Sequence, residues 1–144
     1  DGFNYNPYGA SKQLKNMRKI LYTAIWKPIT PFPVNPGFER VTRVTVKPEN
    51  LQKFLMMTEK LQAEMNAAGD EFEMGVLVAV GGGSKENSLM VRGIAPDGKS
   101  FGELYEKGYS GKAPWGTTLA AMQSLIDVVV RDSHEQCGML YTAE

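Results

Sequence analysis

The chain contains one cysteine and one histidine in 144 residues, no excess charge of either sign, and no apolar run long enough to cross a bilayer. Each shortage removes a class of function. With Cys137 alone, an internal disulfide framework is excluded, as is any zinc or iron-sulfur site made wholly of cysteines. A typical catalytic zinc ion needs three protein ligands, often histidines, and His134 with Cys137 would leave the remainder to carboxylates that fall at no recognisable spacing. No metal and no cofactor is therefore expected. Sixteen basic residues balance sixteen acidic ones, so no long-range field draws the molecule to nucleic acid or to an anionic membrane. No strand-like segment carries a Lys/Arg-Gly-Phe/Tyr-Gly/Ala-Phe-Val run, the mark of one common RNA-binding module. The longest apolar stretches, residues 74–80 and 128–130, fall well short of the roughly 20 residues a spanning helix requires. A soluble protein is expected. The chain begins at Asp1 rather than Met, as after removal of a signal peptide or at an engineered start, which leaves cytoplasmic and exported locations both open.

What the chain does have is enough length for a single core, one that covers roughly 68 to 70% of the surface its unfolded form exposes. Residues 1–38 read as an arm. Asn, Gly, Tyr and Pro crowd residues 1–9, residues 11–19 suit a short basic helix, and ILYTAIWK at 20–27 has the β-branched and aromatic character of an extra strand. Pro28, Pro31, Pro33 and Pro36 then impose an extended linker, since each fixes φ and removes an amide donor.

Residues 39–144 read as strand, helix, strand, strand, helix, strand, which is the α+β, ferredoxin-like plan. Strand 40–47 puts Thr42, Val44 and Val46 on one face and Val41, Arg43 and Thr45 on the other. Pro48 opens a helix to Ala68, with Leu51, Phe54, Leu55, Thr58, Leu61, Met65 and Ala68 at i, i+3, i+4 spacing and Gly69 as its cap. FEMGVLVAV at 72–80 is apolar on both faces, so both sides of that strand should be covered. A loose turn at 81–87 leads to a strand at 88–95, and Pro96-Asp97-Gly98 closes it. Ser100 and Glu103 match a capping box, which starts a helix at Phe101 that Gly108 and Gly111 interrupt. Pro114 restarts it, with Trp115, Leu119, Met122, Ile126 and Val129 on one stripe, and residues 136–142 form the last strand.

The segment VTRVTVKPENLQKFL, with the element order that follows it, resembles the dimeric α+β barrel superfamily, which includes antibiotic-biosynthesis monooxygenase-like and haem-degrading domains. The resemblance covers residues 39–144 and lies at the level of fold. It implies a homodimer in which two four-stranded sheets face each other across a two-fold axis, with strand 20–27 added to a sheet edge or exchanged with the partner. That would cover the second face of the doubly apolar strand. The haem-degrading branch places a histidine on the second long helix, with a tryptophan and an asparagine nearby. Here Trp115 begins that helix but His134 follows its end, so haem degradation is not implied.

Several residues invite a chemical reading and each has a plainer one. His134, within RDSHEQ, could act as a base only within reach of substrate, and its polar setting suits a solvated or helix-capping residue. Cys137 lacks a histidine to activate it, because regular pairing points His134 to the other strand face, and reads as a buried small residue. Gly81-Gly82-Gly83-Ser84 lacks the Gly-Lys-Ser/Thr of a phosphate loop and reads as a flexible hairpin. Phe101, Tyr105, Tyr109 and Trp115 flank the glycine-interrupted segment 108–116, where a gap between helix and sheet could hold a small apolar or aromatic ligand; core packing is the alternative. Arg43 and Arg92, central in apolar strands, could fix a carboxylate, or simply form ion pairs. The sequence thus leaves a small-molecule-binding protein, or a cofactor-independent enzyme, beside a non-catalytic interaction domain.

Overall fold

A computed structural model describes residues 24–32, 35–81 and 88–138. Five strands and three helices follow in the order β1 (Ile25–Pro28), β2 (Gly37–Val46), α1 (Leu51–Ala67), β3 (Glu73–Gly81), β4 (Leu89–Ala95), α2 (Gly98–Tyr109), α3 (Gly116–Gln123) and β5 (Ile126–Cys137). One antiparallel sheet takes the order β1-β3-β4-β2-β5. Without β1 this is the split βαβ arrangement of a ferredoxin-like α+β fold. Of the expected strand 20–27, residues 20–23 lie outside the described residues; the described strand begins at Ile25 and ends at Pro28.

Alternation along β2 assigns the two faces of the sheet. Phe38, Arg40, Thr42 and Val44 look toward the helices, with Val91 paired to Thr42 and Val76 to Val91. Glu39, Val41 and Arg43 look the other way. Against the first face α1 lays Phe54, Thr58, Leu61 and Met65, one buried stripe at i, i+4, i+7 and i+11. Val44, Met74, Val76, Leu89, Leu104, Trp115 and Met122 complete the core, where full burial of each large apolar side chain contributes about 1.5 to 3 kcal/mol. Thr58 is buried among them because its hydroxyl donates to the Phe54 carbonyl at 2.9 Å, which satisfies the polar group within its own helix.

Chain termini of the helices are set by local chemistry. Pro48–Asn50 forms a 3-10 turn that leads into α1. At the other end Gly69 adopts φ +74°, its amide donating to Asn66 and that of Asp70 to Met65, both at 3.0 Å. This pair of bonds is a Schellman cap. It also fixes the position of Asp70. The start of α2 differs from the expected capping box: Asp97, not Ser100, is the N-cap, and its carboxylate accepts the Ser100 amide at 2.8 Å. Asp in extended conformation satisfies the third amide of a helix that starts three residues earlier, so the helix begins at Gly98. Gly108 lies within α2, and only Gly111, at φ +70°, bends the following turn.

The largest departure concerns the C-terminal third. Ile126 and Val129 belong to β5 and not to a continued helix, which ends at Gln123. Val128-Val129-Val130 is a β-branched triplet, and all ten residues of β2 find partners on β5, with register shifts between Arg43 and Val44 and between Thr45 and Val46. The pairing of a long strand outweighs an apolar spacing that fits helix and strand alike. The strand beside β2 therefore runs over Ile126–Cys137; of the expected strand 136–142, Gln136 and Cys137 belong to it, Gly138 does not, and residues 139–142 lie outside the described residues.

Candidate functional site

The sheet and helices do not close fully on each other. Between them lies a cavity of about 640 Å³. Leu61 and Met65 of α1, Val44 and Met74 of the sheet, Leu104 of α2 and the buried ring of Trp115 give it apolar walls. This size and character suit a small organic molecule. Glycine at position 93 lets the Phe72 ring lie against the sheet as part of the wall: a Cβ there would come within 2.3 Å of that ring.

Trp115 is held as a wall by a polar strut. Its indole Nε1 donates to Asp70 Oδ2 at 2.7 Å, and Lys107 Nζ lies 2.7 and 2.9 Å from the two oxygens of the same carboxylate. Asp70 follows the cap of α1 and Lys107 is in the last turn of α2, so one carboxylate ties the ends of two helices to the tryptophan. Gly108 allows the close approach, since a Cβ there would sit 3.0 Å from the far edge of the indole.

One rim of the cavity is polar. Arg40, from β2, meets Asp132, on the paired strand β5, through Nε to Oδ1 at 2.8 Å and Nη2 to Oδ2 at 2.5 Å, a bidentate fork. Thr42 Oγ1 adds a donation to Asp132 Oδ1 at 3.2 Å. The remaining amino group, Nη1, donates to the Tyr105 hydroxyl of α2. Hydrogen bonding from Arg40 holds the Asp132 carboxyl below the ordinary carboxylate range, and the bond to Asp132 raises the Arg40 guanidinium further. Burial pushes the Tyr105 phenol up, with Arg40 opposing. The result is a fixed cation, a fixed anion and a protonated phenol at the mouth of an apolar space. Aromatic rings extend this rim: Tyr105 stacks on Phe101 with centroids 4.9 Å apart, and His134 lies against Phe38 at 6.0 Å and edge-on to Phe101 at 5.5 Å.

Of the residues singled out in the sequence, Tyr105, Tyr109 and Trp115 all line this cavity. Their exposures differ: Trp115 is buried, Tyr105 half-buried, and Tyr109 is 85% exposed at the edge. Phe101 joins them. Arg43 and Arg92 stand on the opposite face of the sheet. Arg92 is paired with the buried Glu39 through Nε at 2.7 Å and Nη2 at 2.5 Å, and lies over the Phe32 ring. Arg43 lies over Trp26 of β1. Cys137 also faces that side, where its thiol donates to Glu39, whereas His134 is on the helix side. The histidine is in a strand, not a loop or helix cap, with its ring against the aromatic rim. Gly82, Gly83 and Ser84 of the glycine run lie outside the described residues.

Arg40, Asp132 and Asp70 were not candidates in the sequence. Arg40 shares strand parity with Thr42, Val44 and Val46, so a lone charge on the apolar face was a readable signal. Asp132 had none, because it falls within a stretch that reads as the end of a helix. Among the described residues, no three of His, Cys, Asp and Glu cluster so as to hold a metal ion, and no helix is long and apolar enough to cross a membrane.

No protein-family model and no curated protein matches the chain. Among solved structures, one from Fusobacterium nucleatum subsp. nucleatum, named "Putative monooxygenase", aligns with 15% identity and a TM-score of 0.44, over 83% of this chain and 50% of that one. The chain thus spans about half the length of that protein.

Proposed function

We propose that this protein is a small-molecule-binding α+β barrel protein that works as a homodimer and takes an apolar or aromatic compound into the cavity between sheet and helices. The observation that carries the reading is the coexistence of a largely apolar space of about 640 Å³ with the polar pair Arg40 and Tyr105 on its rim, the arginine held from outside the space by Asp132. A domain whose sheet and helices only support each other, or only dock another protein, has no need of either. Where the protein transforms its ligand, Tyr105 and Arg40 are the groups placed to act without a cofactor. Support for the homodimer comes from β5, an edge strand on which Val128, Val129 and Val130 are each about half exposed. An exposed apolar triplet on an edge strand is a surface that a second strand can cover.

Native mass spectrometry of the purified protein, under conditions that preserve non-covalent complexes, tests both parts. A dimer with a reproducible excess mass, lost on denaturation, is the expected result. A monomer at micromolar concentration removes the dimer, and a chain that carries no ligand and takes up no apolar probe removes the binding role.

A further inference from the structure

We infer that the ligand of this cavity presents an oxygen acceptor, such as a carbonyl, to the hydroxyl of Tyr105, which Arg40 and Asp132 hold in place as a donor. The inference rests on the cavity being the binding site proposed above. A guanidinium has five N–H groups and no acceptor, so in the bond between Arg40 Nη1 and Tyr105 Oη the phenol oxygen must accept. The phenol proton remains to be given elsewhere. Among the described residues no carboxylate, carbonyl or side-chain amide accepts it.

The orientation of this donor is built and not incidental. Asp132 engages the Nε–Nη2 edge of the Arg40 guanidinium at 2.8 and 2.5 Å, and Thr42 braces the carboxylate, so the guanidinium plane is fixed with Nη1 turned toward Tyr105. Acceptance from a cation polarises the O–H bond and strengthens its donation, as in any hydrogen-bond chain. Burial favours the protonated phenol; the wall beside it is apolar at Leu104, Met65 and Trp115, while Gln123 and Asp127, which also line the space, make no hydrogen bond to the Tyr105 hydroxyl. A half-buried donor facing an apolar chamber discriminates by what is missing. A ligand without an acceptor leaves it unpaired, while a ligand with one completes the chain Asp132, Arg40, Tyr105, ligand. The specificity-determining residue is Tyr105, and Arg40 and Asp132 are positioning residues.

A matched pair of probes separates these statements: 2-acetylnaphthalene, which has a carbonyl, and 2-ethylnaphthalene, which has the same rings and nearly the same size without one. Dissociation constants are measured by titration against the full chain, its Tyr105→Phe variant and its Asp132→Asn variant. The ratio of ketone to hydrocarbon affinity should fall about tenfold in Tyr105→Phe, the scale of one hydrogen bond to a partly buried group, with the hydrocarbon's affinity unchanged. Asp132→Asn should lower the same ratio by a smaller factor, because Arg40 is released from its fork. A ratio unchanged by Tyr105→Phe, with both probes still bound, overturns the inference and leaves the cavity reading in place. Failure of the folded wild-type chain to bind either probe at millimolar concentration overturns both.

Discussion

At the scale of single residues, the sheet's fully buried charge, Glu39, lies on the face away from the cavity. Glu39 is only 1% exposed, and a carboxylate so placed depends on its partners. Arg92 supplies one hydrogen bond and a close ion-pair contact, and the Cys137 thiol a second hydrogen bond. Removing one member of a buried pair strands the other, which costs about 3 to 5 kcal/mol, whereas replacing both by apolar residues is often neutral. Arg92→Leu should therefore lower the urea midpoint steeply, and Glu39→Leu combined with Arg92→Leu should recover most of the loss. A double variant as unstable as the single one would show that packing against Phe32, and not charge, is what Arg92 contributes. Cys137 offers a second check. Burial, with the Glu39 carboxylate beside it, pushes its thiol up to about 11 from an ordinary value of 9.0. The folded state thus holds this proton more tightly than the unfolded one. That contribution to stability is complete below about pH 9 and is lost as pH rises toward about 11. Urea midpoints measured from pH 8 to 10.5 should decline more steeply in the wild type than in Cys137→Ala. The same protonated thiol should react slowly with iodoacetamide at pH 8 until the protein is unfolded.

At the scale of elements, what was readable in the sequence was whatever depends on neighbours three or four residues away. The α1 stripe, its Gly69 cap and the β3 to β4 hairpin order all show in local patterns, and the structure has them. The course of residues 126–137 did not show, because Ile126 and Val129 fit a helical stripe as well as a strand and the deciding factor is the ladder to β2, some 90 residues away in the chain. The same long-range pairing creates the Arg40 to Asp132 fork, which explains why the aromatic part of the rim could be named from sequence and Asp132 could not. Element-level exposure also yields a prediction. If β5 is the seam of a homodimer, a charge in its apolar triplet should open it, since burial of a lysine at a close-packed interface is strongly unfavourable. Val128→Lys should convert a dimer to a monomer by light scattering while leaving far-ultraviolet circular dichroism unchanged. Val128 pairs with Thr45 and is 52% exposed, so the substitution should cost the isolated fold little.

At the scale of the whole molecule, the cavity is a stability deficit that the core carries. Space lined by Leu61, Met65, Leu104 and Trp115 could have been filled by larger side chains, and close packing is the ordinary state of a protein interior. Instead two polar devices hold its walls apart: the Asp70 strut fixes Trp115, and the Arg40 fork holds Tyr105 at the mouth. Leu119 lies on the wall and is half-buried, which makes it a site where the space can be reduced without touching the rim. Leu119→Phe should stabilise the fold by about 0.5 to 2 kcal/mol, the usual gain from filling a cavity, and raise Tm by roughly 2 to 6 °C. In the same variant the affinity for naphthalene probes should fall, because the added ring takes volume that a ligand would use. A binding protein gains stability and loses ligand together. A domain whose cavity has no occupant would gain the stability and lose nothing measurable, so calorimetric Tm and probe titration on this one variant decide between the two roles of the fold.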